Sequence, residues 1–78
     1  MKIKSKKQID ESIIGYALID LTIGNIGILE DIIEMPGQIM FQSTNQLNEV
    51  LIPAVDDFID EIDHEKQTIY LKLPEGLI

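Results

Sequence analysis

Acid–base or nucleophilic catalysis of the Ser-His-Asp or Cys-His kind needs an imidazole base, and this chain has one histidine, His64, and no cysteine. His64 stands in the polar run Asp63-His64-Glu65-Lys66-Gln67, which reads as an exposed turn. One imidazole without further His or Cys ligands founds no structural zinc site. Asp56, Asp57, Asp60, Glu61, Asp63 and Glu65 form the densest acidic run. A calcium loop of the EF-hand kind needs oxygen ligands at alternating positions around a central glycine. Here Phe58, Ile59 and Ile62 interrupt the acids and glycine is absent. The run reads either as an amphipathic turn whose apolar residues pack while the acids stay wet, or as a docking surface for a basic partner. Gly24-Asn25-Ile26-Gly27 matches the GxxG pattern that clamps nucleic acid, but that loop needs a helical frame and gains from basic flanks. The nearest charges here are Asp20 and Glu30, so the segment reads as a hairpin turn leading into a strand. No glycine-rich phosphate loop occurs. No residue is assigned to catalysis, to a cofactor or to a metal, and the expected class is a binding or adaptor module.

The charge distribution bears on partners. The chain has 78 residues, 14 acids and 6 lysines, for a net charge of −8. Four of the lysines, Lys2, Lys4, Lys6 and Lys7, lie in the first seven residues; residues 8–78 carry 14 acids against Lys66 and Lys72, a net of −12. Such a body repels phosphate backbones and attracts basic proteins. Contact with RNA would fall to the segment Lys2–Lys7. No apolar run approaches the ~20 residues of a spanning helix, and Gln8, Asp10 and Glu11 stand where a signal peptide would be apolar. The expected location is the cytoplasm, with no membrane and no small-molecule substrate as partner.

A chain this short is one domain or part of one. Residues 1–11 read as a lysine-rich tail or linker stub and residues 12–78 as the folded domain. Ser12–Asp20 reads as a strand with Tyr16, Leu18 and Asp20 on one face and Ala17 and Ile19 on the other. Ile26–Glu34 is a second strand, and Met35-Pro36-Gly37 a turn into Gln38–Ser43, where Ile39 and Phe41 point one way and Gln38, Met40 and Gln42 the other. Ser43–Asn48 reads as a polar loop. Glu49–Ile52 is a short strand stopped by Pro53, which has no N–H for a ladder. Ala54–Ile59 allows one helical turn with Val55, Phe58 and Ile59 on one side, and Ile59–Asp63 extends again. Thr68–Leu73 alternates cleanly, with Ile69, Leu71 and Leu73 inward and Thr68, Tyr70 and Lys72 outward. A helix over Gln46–Glu61 would carry Pro53 at its centre at a cost of about 3 kcal/mol. Five or six short strands in so small a domain predict a sheet curled onto itself, all-β, with at most one short helical turn.

The same segments carry a resemblance. Ile13-Ile14-Gly15-Tyr16-Ala17-Leu18-Ile19-Asp20, Gly24-Asn25-Ile26-Gly27-Ile28-Leu29, Glu49-Val50-Leu51-Ile52-Pro53-Ala54, Phe58–Asp63 and Ile69–Leu77 with its Pro74-Glu75-Gly76-Leu77 ending follow one another in the order and spacing of a known domain. The ordered set resembles the C-terminal PRC-barrel domain of the ribosome maturation factor RimM and covers about four-fifths of the chain. The resemblance implies a small six-stranded PRC-type β-barrel over residues 12–78. It implies a non-catalytic assembly factor that binds a basic protein of the small-subunit head, ribosomal protein number nineteen. Such factors also aid processing of small-subunit ribosomal RNA, which this acidic chain would reach only indirectly. Under it, Asp57, Asp60 and Glu61 are expected to face the partner, and Gly15, Gly27 and Pro53 to serve the structure. Two departures stand out. The separate N-terminal barrel of the family is missing, which suggests one domain of a longer factor. Gln8-Ile9-Asp10-Glu11 holds no aromatic where family members often have a pair, so no role is carried onto it. The alternative is a free-standing PRC barrel that binds a protein or ligand outside the ribosome; the Pro-Glu-Gly-Leu ending favours RimM.

Overall fold

A computed structural model describes residues 9–45 and 48–76. A 3₁₀ turn, Glu11–Ile13, precedes six strands: β1 Ala17–Asp20, β2 Gly24–Met35, β3 Gln38–Asn45, β4 Asn48–Pro53, β5 Ile59–Asp63 and β6 Thr68–Leu71. They form one sheet in the order β4-β3-β2-β1-β6-β5. Neighbours are antiparallel except β1 and β6, which run parallel. Ile52 of β4 and Ile59 of β5 come from opposite ends of that order, yet share one buried cluster with Leu18, Leu29, Phe41, Ile69 and Leu71. The sheet therefore curls over itself in a barrel-like form.

The long strand β2 makes the curl possible. Its first residues, Gly24–Ile28, pair with β1, and Ile28–Met35 pair with β3, with an irregular register between Leu29 and Asp31. An extra residue at such a point bends a strand and increases its twist. Gly27 lies just before the bend at φ +150, and a Cβ there would stand 2.5 Å from Ser43 Oγ and 3.2 Å from the Thr44 carbonyl oxygen. Only glycine lets the two strand backbones approach so closely.

Several expected elements are shifted. The run Ser12–Asp20 is not one strand: Asp10 accepts a hydrogen bond from Ser12 N–H at 2.9 Å and starts the 3₁₀ turn, and the strand begins only at Ala17. The first hairpin turns at Leu21–Ile23 rather than at Gly24-Asn25, which belong to β2. The expected loop Ser43–Asn48 is strand at both ends: β3 runs through Asn45 and β4 starts at Asn48, pairing Asn45 with Asn48, while Gln46 and Leu47 lie outside the described residues. Polar residues continue the strand because the slot opposite Gly27 admits a side chain no larger than that of Ser43, which is fully buried. The turn after β4 forms, with Phe58 and Ile59 N–H both donating to the Val55 carbonyl. Val55 itself faces solvent, however, because the chain must expose the outer corner of this turn to bury Ile59. Strand β6 ends at Leu71, and Thr68 is buried rather than outward. The Pro36-Gly37 hairpin stands where the sequence places it, pairing Met35 with Gln38 and holding Gly37 at φ +82. Pro53 closes the outer strand β4, and Ala54 N–H then donates to the Ile39 carbonyl at 2.8 Å.

Candidate functional site

Asp57, Asp60 and Glu61 are all exposed. Asp57 lies in the turn that precedes β5, and Asp60 and Glu61 lie on β5, the outer strand on one side of the sheet. The register with β6 pairs Ile59 with Leu71 and Glu61 with Tyr70, so Asp60 is the extra, unpaired residue of a bulge. Ile59 is buried while the two acids after it stay in water, and the bulge prevents the alternation that would turn one of them inward. Asp60 lies 4.0 Å from Lys72 Nζ, an exposed pair of little energetic weight. At the end of β5, Asp63 Oδ1 accepts from the N–H groups of Glu65 at 3.0 Å and Lys66 at 3.1 Å, shaping the turn into β6. The acidic run is thus a ridge along an outer strand, with Asp57, Asp60 and Glu61 in water. Among the described residues no group of three or more His, Cys, Asp or Glu side chains converges to hold a metal ion.

His64 is exposed, as a turn histidine should be, but it is not isolated. Its Nδ1 lies 2.9 Å from the Tyr16 hydroxyl, and the two rings meet edge to face with centroids 5.7 Å apart. Tyr16 is buried just before β1, so this contact ties the β5–β6 turn to the entry of the first strand across 48 residues of chain. Asp10 is held below the ordinary carboxylate range chiefly by its hydrogen bonds from the Ser12 hydroxyl and backbone, with a small contribution from His64. Nothing in the residue pattern around His64 pointed to Tyr16, because the pairing depends on β1 and β6 lying side by side.

The most constrained polar group is Asp20, 2% exposed at the end of β1. Its Oδ2 accepts from the N–H groups of Thr22 and Ile23, each at 2.8 Å, and its Oδ1 accepts from Leu73 N–H at 2.8 Å. Burial pushes the Asp20 carboxyl up, but the three backbone donors together outweigh burial and hold it below its ordinary value. These bonds close the first hairpin before Gly24 is reached and clip the C-terminal segment onto the same corner. The signal was present in the strand pattern, which put an acid on the face shared by Leu18; an acid there demands donors.

The GxxG segment lies in β2 beside β1, with neither a helix behind it nor a lysine within residues 24–53. It is ladder, not clamp. Gly15 sits at φ +100 between the 3₁₀ turn and β1 and donates its N–H to the Leu29 carbonyl at 2.8 Å.

Comparison with known proteins then adds what the geometry lacks. The family model of the RimM PRC barrel domain matches residues 10–77. A ribosome maturation factor RimM from Parabacteroides distasonis is 38% identical over 68 residues, covering 87% of this chain and 39% of that protein. The factor of the same name from Christiangramia forsetii is 34% identical over 77 residues, covering 99% of this chain and 44% of its own length. The chain thus spans about two-fifths of the curated relatives it matches. Among solved structures, a 16S ribosomal RNA processing protein RimM from Pseudomonas aeruginosa superposes with a TM-score of 0.72 at 15% identity, covering 80% of this chain and 41% of that one. That likeness shows the shared fold. With the six-stranded curled sheet, its Gly27 bend and the match over residues 10–77, the chain belongs to the RimM PRC barrel domain family.

Proposed function

We propose that this chain is the PRC-barrel part of a cytoplasmic ribosome maturation factor and acts without catalysis, by holding a basic protein of the small-subunit head, ribosomal protein number nineteen. Residues 12–78 form the barrel domain in this reading and residues 1–11 its tail or linker. The observation that carries the reading is the family match over residues 10–77, together with relatives named as ribosome maturation factors. The acid ridge supplies the physical means. Asp57, Asp60 and Glu61 are exposed on and beside an outer strand, where their charge steers a cationic protein toward a fixed backbone. Each such charge contributes only about 0.2–1 kcal/mol at equilibrium, so the ridge acts through several charges together and through the association rate. Ribosomal RNA is reached through the partner, since a body of net −12 repels phosphate.

The test is calorimetric titration of the purified basic head protein into this chain at low and high salt. Binding is expected at low salt. Replacing Asp57→Asn, Asp60→Asn and Glu61→Gln together is expected to weaken it about tenfold, roughly 1.4 kcal/mol, with the difference shrinking as salt rises. A folded chain that binds nothing at low salt would sink the reading.

A further inference from the structure

We draw no further inference here: the strongest candidate, the apolar corner where the exposed Leu21 and Ile23 of the first hairpin turn stand beside the groove that Ile23 lines with Leu73, carries nothing because nothing in the structure shows what covers it.

Discussion

Replacing Asp20 by asparagine tests the reasoning about the hairpin corner most directly. The side chains are nearly isosteric, so packing is retained and only hydrogen-bonding capacity and charge change. The amide oxygen can stand where Oδ2 accepts from Thr22 and Ile23, but the amide nitrogen then points at Leu73 N–H, donor against donor. Flipping the amide keeps the Leu73 bond and abandons the other two. The better orientation loses one charge-assisted bond outright and reduces two others to neutral strength. With about 1.5–3 kcal/mol for a bond to a charged acceptor and about 1 for a neutral one, the cost is about 2.5–7 kcal/mol. A domain of this size has about 4–12 kcal/mol in total, so the loss is large. The chain has no tryptophan, so urea unfolding is followed by far-ultraviolet circular dichroism. With a urea slope of about 1–1.5 kcal/mol per molar, the midpoint falls by at least about 2 M. The pH dependence supplies a second arm. The folded Asp20 carboxyl titrates below the unfolded one, so its stabilisation is complete above about pH 5 and is lost as pH falls through the folded value. The gap between the parent and Asp20→Asn is therefore expected to be constant from pH 5 to 7 and to shrink below about pH 4. A difference under about 0.5 kcal/mol at pH 7 would refute the argument, because a surface acid changes stability by no more than that.

Further expectations follow from single contacts. Gly27→Ala is expected to cost about 2–4 kcal/mol in the same urea assay, because its Cβ would meet Ser43 Oγ at 2.5 Å at a backbone angle that disfavours alanine. Ser43→Ala is expected to be neutral or stabilising by up to about 1 kcal/mol, since the buried Oγ has no hydrogen-bond partner among the described residues; a loss above about 1 kcal/mol would point to one. Phe41→Ala, which removes the largest fully buried side chain, is expected to cost about 3–5 kcal/mol and to leave little folded protein at 37 °C. Tyr16→Phe is expected to cost about 0.5–1.5 kcal/mol and to move the His64 Nδ1 nitrogen resonance, whereas an unmoved resonance would show that the hydroxyl does not bond there.

Parts of this architecture were legible because local chemistry dictates them. Pro36-Gly37 forms the tight β2–β3 turn, since proline and glycine accept the two backbone conformations the turn requires. The inward set Ile69 and Leu71 follows from alternation alone, as does the opposite facing of Phe41 and Met40. Pro53 ends β4 on an outer strand, the place in a sheet that tolerates a missing N–H. The misread segments share one cause. Leu21–Ile23 looks too apolar for a turn and Gly24-Asn25 looks ideal for one, yet the Asp20 carboxylate supplies the acceptors that close the chain three residues earlier. Ser43–Asn45 looks like loop until Gly27 is placed opposite it.

The sequence by itself determined the all-β class, most of the strands, the acidic body and the family, because alternation, turn chemistry, charge and ordered motifs are local or additive properties of the chain. Tertiary structure alone decided which polar groups matter. The parallel pairing of β1 with β6 brings His64 to Tyr16, and the curl brings Leu73 N–H to Asp20, 53 residues away. The strand order sets Asp60 and Glu61 on one outer strand and turns Ile28, Met40 and Leu51 away from the core at the other side. Such placements depend on register between distant segments, and a one-residue slip in any strand would reverse which side chains are buried.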